Sequence, residues 1–196
     1  MEMSFRIHRA AAIGVAAALA GFLPGCSGNM VTVSEDVSPA PSYYDGDFEY
    51  ATRNGAIRTE VIGQPFVVTP DTLKARVLHL MDGQNRGVAT KFVATNGNDT
   101  DPAFKVVAAF NLSGGYSGRD LCRGTAGLPS RGAGTPITLD MAFCIGDQLK
   151  TEVQGRVGVV SGLDDPKFAA LVRQTTLGLI PPQDGHGGDG DSANPD

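Results

Sequence analysis

Hydrophobic residues recur with helical spacing in two segments of the chain. The first segment begins with Thr69 as a helix cap and Pro70 at the first helical position. Its apolar face consists of Leu73, Val77, Leu80 and Met81, and Gly83 ends it. The second begins at Pro166, after Asp165, and its predicted buried face consists of Phe168, Leu171, Val172, Thr175 and Leu179. Both patterns predict amphipathic helices that pack on a sheet.

Strand-like patterns occupy four segments between these two helices. They cover residues 88–95, 104–112, 138–146 and 149–161. In the second, one predicted face consists of Phe104, Val106, Ala108, Phe110 and Leu112. In the third, Leu139, Met141, Phe143 and Ile145 share one face, and Ala142 and Cys144 share the other. In the fourth, Leu149, Val153, Val157 and Val159 oppose Lys150, Glu152, Gln154 and Arg156, which predicts one solvated face.

A short turn motif precedes the first helix. Asn54 and Gly55 lie between FEYAT and AIRTEVI, and this pattern favours a hairpin with a primed turn. The resulting order of elements is ββαββββα. We therefore predict an α+β fold in which a single antiparallel sheet of about six strands is covered on one face by two helices.

Composition divides the chain of 196 residues into segments. Residues 27–46 are rich in Ser, Pro and acidic side chains, and residues 181–196 are rich in Gly and Asp. Neither segment has the periodicity or the apolar content of a packed element. We expect a flexible tether over 26–46, one globular α+β domain over 47–180 and a disordered acidic tail over 181–196.

The charge of the chain is concentrated near its ends. The formal net charge is −5, but residues 47–180 contain 14 basic and 13 acidic side chains. A nearly neutral domain lacks the basic surface that nucleic-acid binding requires. We therefore expect no nucleic-acid partner.

An apolar run follows a short basic segment at the N terminus. The basic segment contains Arg6, His8 and Arg9, and the apolar run covers residues 10–23. Its length fits the hydrophobic region of a signal peptide and is shorter than the roughly 20 residues of a spanning helix. The run ends in Leu23, Pro24, Gly25 and Cys26. This quartet resembles the lipobox of bacterial lipoprotein precursors.

The lipoprotein resemblance implies how the chain is processed and where it resides. Residues 1–25 would be a signal peptide removed by the lipoprotein signal peptidase, and Cys26 would carry lipid on its sulfur and an acylated amino group. Ser27 is not the Asp that retains lipoproteins in the inner membrane, so the outer membrane facing the periplasm is favoured. An ordinary secretory signal with a chance cysteine is the alternative. Residues 50–66, YATRNGAIRTEVIGQPF, also resemble uncharacterised proteobacterial lipoproteins, which implies no activity.

The chain contains three cysteines. Assigning Cys26 to lipid leaves Cys122 and Cys144, which we expect to form a disulfide in an oxidising compartment. A zinc half-site or a redox couple is less favoured, because the chain has no CxxC motif and His79 is the only histidine of residues 47–180. Since Cys144 points away from the apolar face of its strand, the long segment 113–136 should cover that side of the sheet.

Segment 113–136 is the candidate binding site. Gly114, Gly115 and Gly118 would let backbone amides converge, and Arg119, Arg123 and Arg131 add positive charge. Such a surface would suit a phosphate, a carboxylate or a protein partner, and Tyr116 would stack on a sugar or a ring. The alternative is a glycine-rich surface loop that the disulfide stabilises.

No pattern in the sequence indicates catalysis or a cofactor. GYSGR departs from the nucleophile-elbow motif, no Walker motif is present, and the aspartates of the tail lack the register of a calcium loop. We therefore expect no catalytic residues, no metal and no cofactor. The favoured function is a lipid-anchored envelope protein that binds another envelope protein or a cell-wall polymer. The alternative is a small anchored hydrolase that acts on cell-wall or lipid substrates.

Overall fold

The computed structural model describes residues 31–35 and 43–180. The predicted signal peptide, Cys26 and the acidic tail lie outside the described residues. The described part contains six strands and four helices in the order β1 (Thr32–Glu35), α1 (Asp45–Ala51), β2 (Ala56–Ile62), α2 (Pro70–Met81), β3 (Lys91–Val93), β4 (Phe104–Phe110), α3 (Gly118–Arg123), β5 (Ile137–Ile145), β6 (Gln148–Val157) and α4 (Pro166–Leu179).

The strands form a single mixed sheet in the order β1-β6-β5-β4-β2-β3. The pairs β1–β6, β6–β5 and β5–β4 are antiparallel, whereas β2 pairs in parallel with both β4 and β3. The predicted α+β class with one six-stranded sheet is thus confirmed, and the purely antiparallel arrangement is wrong. Helix α2 returns the chain to the end of the sheet where β2 begins, so β3 runs in the same direction as β2.

Both predicted long helices are confirmed, together with their caps. The Thr69 hydroxyl accepts a hydrogen bond from the Thr72 N–H at 3.2 Å, and the Asp165 carboxylate accepts one from the Lys167 N–H at 2.9 Å. Every residue predicted for the two apolar faces is buried. These helices follow from local signals, because a capping side chain and the 3.6-residue repeat lie within the segment itself.

The predicted hairpin around Asn54 is wrong, because the segment before it is helix α1. Phe48 and Ala51 are spaced by three residues and both are buried in the core. The Asp47 carboxylate accepts a hydrogen bond from the Tyr44 N–H at 3.3 Å, at the start of the helix. Gly55, with a positive φ of 98°, makes the turn from α1 into β2. The turn residue was thus recognised, but the element before it was not.

Strand β1 lies within the segment predicted as a flexible tether. Residues 32–35 pair with residues 153–156 of β6 at the edge of the sheet. Val31 and Val33 pack against the core. A four-residue strand has too short a pattern to be recognised alone, and pairing with β6 supplies the hydrogen bonds that hold it.

The main core lies between one face of the sheet and helices α1, α2 and α4, one helix more than predicted on that face. Aromatic rings connect these layers. The ring centroids of Phe48 and Phe143 lie 5.3 Å apart. The ring centroid of Phe168 lies 5.0 Å from that of Phe66 and 5.8 Å from that of Phe110. The predicted inward face of β5 packs in or against this core, and it consists of Leu139, Met141, Phe143 and Ile145. The central strands are therefore held by apolar contacts on this side.

A second, smaller core covers the opposite face of the sheet. It comprises Val107, Ala109, Leu121, Cys122, Ala142 and Cys144. Helix α3 lies here, within the segment predicted to be a long loop, so helices cover both faces and not one. Leu112 packs on this second core and not beside Phe110 as predicted. The cause is Asn111, whose φ of 51° breaks the strand alternation.

A register shift in the β5–β6 pair separates residues that we predicted to share a face. Phe143 pairs with Thr151 and Cys144 pairs with Leu149, so Lys150 is an extra residue in β6. As a result Leu149 packs against the second core, whereas Val153 belongs to the main core. The buried Lys150 ammonium lies 3.3 Å from the Asp47 carboxylate of α1. An inserted residue reverses the alternation of faces, and the pattern alone did not reveal it.

Candidate functional site: the disulfide-linked segment 113–136

Cys122 and Cys144 form a disulfide with a Cα–Cα distance of 5.5 Å. Cys122 lies in α3, Cys144 lies in β5, and neither residue is exposed to solvent. The alternation of β5 placed Cys144 on the face opposite to the main core, and the structure confirms that placement. The bond fastens α3 to the centre of the sheet.

The ends of the segment are tied together by Asn111, a residue whose role sequence reasoning missed. Its side-chain amide donates to the Gly132 carbonyl at 2.9 Å, and its side-chain oxygen accepts from the Thr138 N–H at 3.0 Å. Leu112 and Ser130 form an isolated β-bridge beside it. Hydrogen bonds therefore hold the two ends of segment 113–136 together, and the disulfide attaches its middle to β5.

Two carboxylates of the protein itself accept hydrogen bonds at the start of α3. The Gly118 N–H donates to the Glu152 carboxylate of β6. The Asp120 carboxylate accepts hydrogen bonds from the Ser117 N–H and the Ser117 hydroxyl, each at 2.9 Å. These bonds, with the charge of Arg123, hold the pKa of Asp120 below its usual value. The Gly118 amide, which we predicted to help bind an external anion, already has a partner.

The four predicted binding residues all lie at the surface, in separate surroundings. Arg119 and Arg123 are exposed on α3. Arg131 is also exposed, and it donates to the Thr138 hydroxyl at 3.4 Å. Tyr116 is 39% exposed, and its ring lies over Gly114. Arg123 thus lies near Asp120, and Arg131 lies beside β5.

A polar cluster that the sequence analysis missed holds the segment against β2. The Glu60 carboxylate lies 2.9 Å from the Arg58 guanidinium and 3.7 Å from the Lys105 ammonium. It also accepts a hydrogen bond from the Thr125 hydroxyl at 3.2 Å. Because β2 and β4 are parallel and Arg58 is in register with Lys105, alternate residues of both strands reach the same face. The charges of AIRTEVI were visible in the sequence, but their partner strand was not.

Asp140 of β5 lies beside this segment, on the same face of the sheet as Gln154. The Gln154 side-chain amide donates to the Asp140 carboxylate at 2.6 Å. Burial raises the pKa of Asp140, against the opposing effects of Gln154 and the charge of Arg131. The folded protein therefore binds a proton at Asp140 more tightly than the unfolded chain does.

We expect Asp140→Asn to make the domain more stable than the unaltered protein at pH 7, and the difference to shrink as the pH falls towards about 4. A carboxyl whose folded pKa is raised contributes stability at low pH, and that contribution is lost as the pH rises through the folded pKa. Urea midpoints measured from pH 3.5 to 8 would check this, with Asp147→Asn in the exposed β5–β6 turn as control. An Asp140→Asn midpoint that is lower at every pH would contradict it.

His79, the only histidine of residues 47–180, is exposed near the end of α2.

Within residues 31–35 and 43–180, no three His, Cys, Asp or Glu side chains are placed to bind one metal ion. Among the helices that the structure describes, none has the length and hydropathy needed to cross a bilayer.

The chain was compared with protein families, curated proteins and solved structures. No family model and no curated protein matches the chain significantly. Among solved structures, the chain is similar to the PelC dodecamer from Paraburkholderia phytofirmans at 13% identity and a TM-score of 0.41. A single-substitution variant of that dodecamer matches at 12% identity and a TM-score of 0.39. Each match covers 79% of this chain and 100% of the other.

Proposed function

We propose that the chain is the precursor of a lipoprotein that is anchored in the bacterial envelope by Cys26 and carries a soluble interaction or structural domain. The disulfide is the observation that supports this proposal most directly. It joins Cys122 to Cys144 in the interior of the domain. Cys26 is the third cysteine of the sequence, and it stands at the end of the lipobox-like quartet.

The disulfide also supports a location outside the cytoplasm. Disulfides persist in the periplasm and at the cell surface and are rare where thiols are kept reduced. Ser27 favours the outer membrane, with the domain facing the periplasm. In this proposal the lipid on Cys26 binds the membrane, and the domain binds another envelope protein or a cell-wall polymer.

We place the interaction surface on segment 113–136. The segment presents Tyr116, Arg119 and Arg123 at the surface, with Arg131 beside β5. The disulfide, Asn111 and Glu152 hold its backbone on the sheet. A rigid backbone has less conformational entropy to lose when a partner binds the segment. Arginine and tyrosine are also the side chains that most often dominate binding energy at interfaces.

Substituting Cys26→Ser is expected to release the protein from the membrane fraction and to abolish incorporation of labelled fatty acid. A serine cannot receive the thioether-linked lipid, and without acyl chains the polar tether has little affinity for a bilayer. Cell fractionation and intact mass of the mature chain would measure both effects.

The matched control is the double variant Cys122→Ser/Cys144→Ser, which keeps Cys26 and should remain in the membrane and acylated. A Cys26→Ser protein that stays membrane-bound and matures at the same site would show that the lipoprotein proposal is wrong.

A further inference from the structure

The start of β1 and the ends of β2, β4 and β6 lie at one end of the sheet. Thr32 of β1 pairs with Arg156 near the end of β6. At the same end Ile62 closes β2 and Phe110 of β4 pairs with Leu139 of β5. We call this the anchor-side end, because it is where the described chain begins.

Only a short stretch of chain separates this end from the proposed lipid. Cys26 lies five residues before Val31. Even fully extended, these residues span about 17 Å, at 3.3–3.6 Å per residue. The sequence predicts a tether through residue 46, but β1 fixes residues 32–35 in the sheet. The anchor-side end therefore cannot move far from a lipid attached to Cys26.

The anchor-side end exposes two apolar side chains. Val67, in the loop after β2, is 95% exposed, and Val159, after β6, is 70% exposed. Both loops flank the first turn of α4. The ring of Phe66 lies 5.0 Å from that of Phe168, and the Lys167 ammonium lies 3.4 Å from the Val159 carbonyl. The two valines thus project from loops that a packed helix holds in place.

The acidic side chains at this end have partners. Asp71 lies 3.2 Å from the Lys74 ammonium, and Asp164 lies 3.4 Å from the Arg76 guanidinium. The Asp165 carboxylate accepts hydrogen bonds from the Ser161 N–H, in the loop before α4, and from the Lys167 N–H in the first turn of the helix. These pairs limit the repulsion between this end and an anionic membrane surface.

We propose that the anchor-side end faces the bilayer that holds the lipid of Cys26, and that Val67 and Val159 contact its surface. This inference rests on the proposed lipoprotein function. Other exposed apolar side chains, Tyr44, Tyr50 and Val88, lie near the starts of β2, β3 and β4. That opposite end points away from the membrane.

The chain contains no tryptophan, so single tryptophans report on each end separately. The variants Val67→Trp, Val159→Trp and Val88→Trp would be expressed as the full-length precursor. The mature protein would then be purified from membranes. Each would be reconstituted in vesicles of phosphatidylcholine and phosphatidylethanolamine, with and without brominated acyl chains. We expect bromine to quench Val67→Trp and Val159→Trp severalfold more than Val88→Trp, because quenching requires contact with the acyl region.

A second variant tests the short connection. An insertion of about 20 Gly and Ser residues after Ser27 adds a chain with a root-mean-square length of roughly 25 Å, and it should greatly reduce the quenching of Val67→Trp. Equal quenching at all three positions, or stronger quenching at Val88→Trp, would overturn the orientation while intact mass still shows acylated Cys26. A mature chain without lipid would instead overturn the proposed function and the orientation with it.

Discussion

Replacing Cys122 and Cys144 together by alanine is expected to lower the free energy of unfolding by about 3 kcal/mol. The disulfide joins residues 22 positions apart, and closing a loop of that length restricts the unfolded chain by an amount of this order. Alanine removes the cross-link without placing a new polar group in the second core. Urea unfolding, followed by far-UV circular dichroism, would measure the loss.

The same substitution should loosen α3 more than the rest of the domain. The helix has only six residues, and its buried contacts depend on Leu121 and Cys122. Hydrogen exchange should therefore become faster in residues 118–123 while α2 and α4 stay protected. Treating the unaltered protein with a reductant provides the control, because it should lower the urea midpoint as the double variant does and leave that variant unchanged. Equal midpoints before and after reduction would contradict the expectation.

Substituting Gly63→Ala is expected to destabilise the domain by about 3 kcal/mol. Gly63 has a φ of 83°, where a side chain costs roughly 1–2 kcal/mol. A methyl group there would also overlap the backbone carbonyl of Phe110 in β4, which cannot move without disturbing the sheet. Crowding of this kind costs typically 1–3 kcal/mol. Thermal and urea unfolding would both report the change.

Gly127→Ala is the matched control for this prediction. Gly127 has a φ of 80°, close to that of Gly63, but a methyl group there would meet no atom within 4 Å. The control should therefore show the backbone cost alone, roughly 1–2 kcal/mol. If both variants lost the same stability, the contact with Phe110 would have no effect and the explanation would be wrong.

The parts of the fold that could be predicted are those whose cause lies within one segment. The Thr69 and Asp165 caps and the apolar repeats after them predicted α2 and α4 with their buried faces. The alternation of β5 similarly placed Cys144 opposite Met141 and Phe143. In each case neighbouring residues in the sequence supply the signal, so no knowledge of distant contacts was needed.

The parts that could not be predicted depend on a partner elsewhere in the chain. The segment before Asn54 has the composition of a strand, yet α1 forms because Phe48 reaches Phe143 of β5. The extra residue Lys150 in β6 lies beside Asp47, an acid more than a hundred positions away. Propensity is a weak preference, and contacts of this kind override it.

The candidate site shows the same division. The sequence identified segment 113–136, its disulfide and its exposed arginines. It did not reveal that the Glu152 carboxylate accepts a hydrogen bond from the Gly118 N–H. Nor did it reveal that the Glu60 carboxylate contacts Arg58, Lys105 and Thr125. These contacts join residues from different strands, whose neighbours depend on the topology of the sheet.

By itself, the sequence determined the two long helices, the α+β class and the side of the sheet on which Cys144 lies, because periodicity and capping act over a few residues. Only the tertiary structure decided that β2 runs parallel to both its neighbours and that α3 covers the second face. It also decided that residues 32–35 join the sheet at its edge. Strand order and edge pairing depend on which distant segments exclude water together, and that choice is made by the whole chain.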